Sequence, residues 1–144
     1  MFWTALGANL LLRIWLASLP GYTADVQAYK RWALGSALGG LPAAYETVDV
    51  DYPPAYLYVL HGIGTLYLWI EAPGVDGEVR DSTLLTLLIK LPTLFFDLVV
   101  AGLLLSLVGR WRLWGSGRDD PGWGRWAAVL YLWNPAVLWS SGYW

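Results

Sequence analysis

At 144 residues the chain has the length of one ordinary domain, but 57% of it is apolar, 14% is charged and its mean hydropathy is +0.45, which excludes a water-soluble globular core as its main organisation. A formal net charge of −2, with nine Lys and Arg scattered along the chain, excludes a nucleic-acid partner, because phosphate binding needs a basic patch. With no cysteine and a single histidine there is no disulfide framework, no thiol nucleophile and no zinc site.

Four apolar runs, residues 2–19, 53–70, 84–109 and 126–142, each approach the roughly 20 residues that a helix needs to cross a bilayer. The first carries Arg13 and shows no small-residue cleavage pattern before Pro20, so it reads as an uncleaved membrane helix over 2–19, not a signal peptide. In the mixed segment that follows, Val26, Tyr29, Ala33 and Ala37 recur at helical spacing until Gly39 and Gly40 end the pattern, which predicts an amphipathic helix over 23–38. Pro53 and Pro54 suit the first turn of a helix and open the 53–70 run. Eleven Trp and nine Tyr are heavy usage, and such rings favour the boundary between hydrocarbon and headgroups.

Charge sorts the loops. Between Gly21 and Thr83 eight acids stand against Lys30, Arg31 and Arg80, whereas between Arg110 and Arg125 four arginines face only Asp119 and Asp120. Short cytoplasmic loops accumulate Lys and Arg, so 110–125 is expected in the cytoplasm and 20–83 outside. Membrane helices then fall at 2–19, 84–109 and 126–142. With both its ends external, 53–70 lies in the outer interface. The competing arrangement makes 53–70 a fourth span and puts the arginine loop on the same side as the acids.

Arg13, Lys90 and Asp97 are ionisable groups at membrane depth, each costing about 3 kcal/mol unless paired or hydrated. Lys90 and Asp97 are seven residues apart on one helix face, with Pro92 freeing a backbone carbonyl between them. Either Lys90 snorkels to the outer headgroups while Asp97 pairs with a neighbouring helix, or Lys90 binds an anionic headgroup. His61, on an apolar helix, is expected to be packed or interfacial. Asp25 falls in the first turn of the predicted amphipathic helix, just beyond a membrane helix, with Lys30 and Arg31 following. The helix dipole alone stabilises such an acid by about 0.5 kcal/mol. The functional alternative is a general base held at the membrane surface.

A-D-V-Q-A-Y-K-R-W around Asp25, D-Y-P-P at Asp51–Pro54, K-L-P at Lys90 with Asp97 downstream, and W-N-P-A-V-L at Trp133–Leu138 resemble, in order and spacing, the multi-span glycosyltransferases of the GT-C fold. The first two motifs are similar to those of the enzymes that use dolichyl-phosphate glucose and mannose, the last to that of bacterial relatives. The resemblance implies that Asp25 is the general base that deprotonates the acceptor hydroxyl. It also implies that the Y-P-P helix lies in the first external loop, that Arg31 and Lys90 contact the lipid donor, and that Asp51 and Tyr52 belong to the substrate site. The acid that some members carry directly after the first is absent, since Val26 follows Asp25. Family chains are several times longer, so this chain is expected to be the N-terminal part of one.

The expected protein is therefore an all-α, multi-pass membrane protein with an external juxtamembrane helical loop. It would transfer a sugar from a polyprenyl-phosphate donor to an external acceptor, with membrane lipid as its surroundings and no cofactor. Two rival readings are a transporter or channel fragment, in which Arg13, Lys90 and Asp97 line a polar path, and a small non-catalytic membrane protein in which they pair between helices.

Overall fold

The computed structural model describes residues 1–48, 50–71, 82–110 and 121–143, and every element among them is helical. The helices are α1 (Phe2–Ala17), α2 (Thr23–Gly39), α3 (Leu41–Thr47), α4 (Pro54–Ile70), α5 (Thr83–Arg110), α6 (Pro121–Leu132) and α7 (Pro135–Leu138), the last followed by a π-helical turn over Trp139–Tyr143. Asp49, the acid-bearing residues 72–81 and most of the arginine loop, 111–120, on which part of the charge argument rests, lie outside the described residues. The chain divides into two compact units, one of Met1–Leu19 with Lys90–Trp144 and one of Pro20–Ile89.

In the first unit α1 runs alongside α6 and the segment after it in the same direction. Trp133 Nε1 donates to the Ala5 carbonyl at 3.3 Å, Asn9 Nδ2 to the Leu132 carbonyl at 2.9 Å, and Leu16 lies over Gly142. α5 runs the opposite way. Its Leu104 and Leu105 join Phe2 and Leu6 around buried Ala101, Ala128 and Leu132, while Asp97 reaches Arg13 further along. Among the described residues, Thr83–Val108 of α5 is the one helix long and apolar enough to cross a membrane, and α1 is apolar but shorter. Its 16 residues rise about 24 Å, against about 30 Å of hydrocarbon.

The run 126–142 is not one helix, and here the sequence expectation is corrected. Proline has no N–H to donate and pushes the residue before it out of the α region. Accordingly Asn134 is extended, at φ −61° and ψ 124°, and its side chain accepts from Ala136 N to cap the short helix that begins at Pro135. Hydropathy registers this stretch as continuous because Asn and Pro are two residues in an otherwise apolar run.

The second unit is built on α2 packed against α4, with α3 and the first two turns of α5 completing its core. The buried positions of α2 include Val26, Tyr29 and Ala33, which carry the sequence periodicity. α4 approaches α2 closely at Gly64, where an added Cβ would collide with the Ala33 carbonyl and lie 3.0 Å from Ala37 Cβ. Gly40 stands between α2 and α3 at φ +84°, a conformation other residues rarely adopt, and so ends one helix and opens the next. Ser82 caps α5 by accepting from Leu85 N at 3.2 Å.

Candidate functional site

The second unit brings together two of the sequence motifs. Tyr22 is the N-cap of α2 and Asp25 lies in its first turn, half-buried, with no donor to its carboxylate among the described residues. One turn on, the Tyr29 hydroxyl donates to the Tyr52 hydroxyl at 3.0 Å, joining the helix of Asp25 to the D-Y-P-P turn that precedes α4. Four rings close around this bond. Tyr29 meets Trp32, Tyr52 and Tyr56 edge-on at 5.3, 5.7 and 5.7 Å, and Tyr52 lies 5.5 Å from Trp32 and 5.7 Å from Tyr56. Edge-to-face pairs of this kind add about 0.5–1.5 kcal/mol each beyond burial.

Two further bonds hold the turn. Trp32 Nε1 donates to the Val48 carbonyl at 3.2 Å and the Tyr45 hydroxyl to the Tyr52 carbonyl at 3.2 Å. Tyr29 and Trp32 are buried in this cluster, whereas Tyr52 stays 41% exposed, so one ring of four is offered to whatever binds. Burial raises the Tyr29 hydroxyl well above its usual value, and the hydrogen bond to Tyr52 and the negative charge of Asp25 push the same way. Tyr29 is therefore a neutral donor at physiological pH. Asp51 and Arg31 are exposed and have no ion-pair partner among the described residues. His61 sits half-buried with Nδ1 3.0 Å from the Ser36 carbonyl, as a packed histidine does.

Lys90, expected at the headgroups or on the donor, belongs to the other unit and points inward. It is 5% exposed, and Nζ donates to the Leu19 carbonyl at 2.9 Å and to the Tyr143 carbonyl at 2.8 Å. Those carbonyls lie just past α1 and at the end of the π-helical turn, where backbone acceptors lack helical partners and the dipole favours a cation.

The remaining charges that the sequence places in apolar runs form one network. Arg13 Nη1 meets Asp97 Oδ2 at 2.6 Å and donates to Ser141 Oγ, Nε donates to Asn9 Oδ1 at 2.8 Å, and Nη2 to the Leu132 carbonyl at 3.0 Å. Tyr131 donates to Asp97 Oδ1 at 2.8 Å. The break at Asn134 explains the doubled donation to Leu132. In an unbroken helix that carbonyl would accept from Ala136 N, which is instead taken by the Asn134 side chain, so Arg13 and Asn9 supply the missing donors. Among the described residues no buried side-chain N or O lacks a partner. Of the two sequence accounts, Asp97 follows the one in which it pairs with a neighbouring helix.

Asn9, Tyr131 and Ser141 escaped the sequence reading. Asn9 stands one turn before Arg13 in an apolar run, and that spacing was the available signal. No group of three metal-ligating side chains occurs among the described residues. Comparison with protein-family models, with curated proteins and with solved structures finds no match to this chain.

Proposed function

We propose that the chain is the N-terminal part of a multi-pass membrane glycosyltransferase of GT-C type. On this reading it moves a sugar from a polyprenyl-phosphate donor to an acceptor hydroxyl on the external face, with Asp25 as general base. The observation that carries the reading is the meeting of the Asp25 helix with the D-Y-P-P turn through Tyr29 and Tyr52, two segments that the sequence resemblance alone links. A carboxylate with no ion-pair partner among the described residues, one turn before the tyrosine that bonds an exposed aromatic ring, suits sugar transfer. The carboxylate takes the proton of the attacking hydroxyl, and the ring offers a face to the sugar. Arg31, exposed on the same helix, is the cation available to the departing phosphate, while Lys90 is committed to carbonyls in the other unit.

The membrane setting draws on α4 as well as α5. α4 buries Leu57, Leu60 and Tyr67, yet Tyr58, Leu66, Trp69 and Ile70 on its other faces are exposed, so it is apolar all round and suits a lipid-facing position. The shorter apolar segments 2–19 and 126–142, with the arginine loop in the cytoplasm and α4 in the outer interface, complete the proposed multi-pass topology. Single cysteines at Leu38 and Gly117 test it in a chain that has none. An impermeant thiol reagent added to intact cells should label position 38 and spare 117, and the reverse pattern would overturn the topology.

A second reading, a non-catalytic membrane protein, is favoured by one observation: the Arg13–Asp97 network is saturated by interhelical pairing and leaves none of its members for a substrate path. Sugar transfer decides between them. In the full-length protein Asp25→Asn should leave expression and donor binding intact while turnover falls about 10² to 10⁴-fold, as expected for loss of a positioned base. Glu46→Gln, an exposed external acid, should do little. Turnover within a few-fold of the parent for Asp25→Asn would move the base to Asp51 or sink the enzyme reading.

A further inference from the structure

In the first unit, a cavity of about 330 Å³ opens between the N-terminal ends of α1 and α6. Met1, Phe2 and Ala5 line it from the start of α1, and Gly122, Arg125, Trp126 and Val129 from α6. The spacing explains the groove. Residues 122, 125, 126 and 129 share one face of α6, and where the two parallel helices meet, Gly122 and Ala5 contribute almost no side chain, so the helices pack without filling the space between them. Every lining side chain is apolar except that of Arg125, which is exposed, as is Trp126 beside it.

We propose that this groove binds one anionic glycerophospholipid, an acyl chain in the cavity and the phosphate on Arg125. The inference rests on the membrane placement of this unit proposed above, not on the sugar-transfer chemistry. Charge complementarity fixes the class of occupant. The lining holds one cationic side chain, the Met1 terminus and no acid, so a hydrocarbon tail with a negatively charged head satisfies both parts of it, whereas a purely apolar helix would cover the guanidinium without pairing it. Exposed Trp3, Trp123 and Trp126 cluster at the same ends of α1 and α6, where amphipathic rings mark headgroup depth. That is the depth at which a phosphate meets Arg125. Basic pockets between membrane helices on the cytoplasmic side bind anionic headgroups, and the arginine loop assigns this end to that side.

The test reconstitutes the full chain in nanodiscs of phosphatidylcholine with a minority of phosphatidylglycerol of the same acyl length, and counts the lipids retained by native mass spectrometry. One phosphatidylglycerol should remain bound in preference to phosphatidylcholine. Arg125→Gln should lower that preference about fivefold, the order expected for one cation near an anionic headgroup. Ala5→Phe, which fills the groove without touching the charge, should abolish retention of either lipid, and unchanged helical circular dichroism would show that both variants are folded. Equal retention of the two lipids by the parent, or undiminished retention in both variants, would overturn the site, as would a second copy of the chain in place of lipid. Carbonate extraction of the same preparation separates the two failures: a chain that stays in the membrane but holds no lipid refutes the site alone, and a chain released from it refutes the membrane placement and the site together.

Discussion

The two units handle polar side chains in opposite ways. In the first, Asn9, Arg13, Asp97, Tyr131, Ser141 and Lys90 turn inward and are engaged by one another or by backbone carbonyls that helix ends and breaks have freed. In the second, the ordering contacts are aromatic, and Asp25, Arg31 and Asp51 are left without ion-pair partners among the described residues. Charge in the first unit is thus consumed by structure, while Asp25, Arg31 and Asp51 of the second are the charges open to the binding proposed above. A charged residue in an apolar run marks function only when the helix around it has not already created a need for it.

The largest effect expected from this contrast is in the first unit. Asp97→Leu leaves a buried guanidinium unpaired and should cost about 3–5 kcal/mol, read as loss of folded protein in detergent, whereas Arg13→Met with Asp97→Leu should recover most of it. Next comes the helix contact of the second unit. Gly64→Leu forces α2 and α4 apart and should cost about 1–3 kcal/mol by denaturant unfolding, against little for Gly62→Leu, which meets open space. If Gly62→Leu were the more damaging of the two, the packing of α4 on α2 would be wrong.

The smallest effect is at the tyrosine pair. Tyr29→Phe removes one hydrogen bond and should cost about 0.5–1.5 kcal/mol. It should also change the response to alkali. The Tyr29 hydroxyl ordinarily titrates at 10.0 and is raised in the folded state, so its contribution is fully present below that value and is lost as the pH climbs beyond it. Unfolding followed between about pH 9 and 11 should fall less steeply for Tyr29→Phe than for the parent. Identical slopes would mean that the hydroxyl is not shielded as described.

Much of this was legible in the sequence, and the misses share a cause. Periodicity at Val26, Tyr29, Ala33 and Ala37 marked the buried face of α2, and Pro53 and Pro54 marked the start of α4. The all-helical class follows from the long apolar runs. Hydropathy averages over a window, so it passed across Asn134 and Pro135, where two residues redirect the backbone. The break in turn freed the Leu132 carbonyl that Arg13 bonds, which no local pattern around residue 13 could disclose. The bonds of Lys90 were hidden for the same reason, because its acceptors at Leu19 and Tyr143 are distant in the chain. In the candidate site, Asp25 and Tyr52 were legible as motif residues, but the bond between Tyr29 and Tyr52 that joins them required the packing of α2 on the turn before α4.

The most direct test measures thermal stability and sugar transfer side by side for Asp25→Asn and Asp97→Asn in the full-length protein. A crossed result is expected. Asp25→Asn should melt within about 1 kcal/mol of the parent, since only a helix-terminus charge is lost, yet transfer about 10² to 10⁴-fold more slowly. Asp97→Asn should be the unstable one, and whatever fraction of it stays folded should transfer at close to the parental rate. Stable, inactive Asp97→Asn beside active Asp25→Asn would place the chemistry in the membrane network and contradict the division of labour between the units.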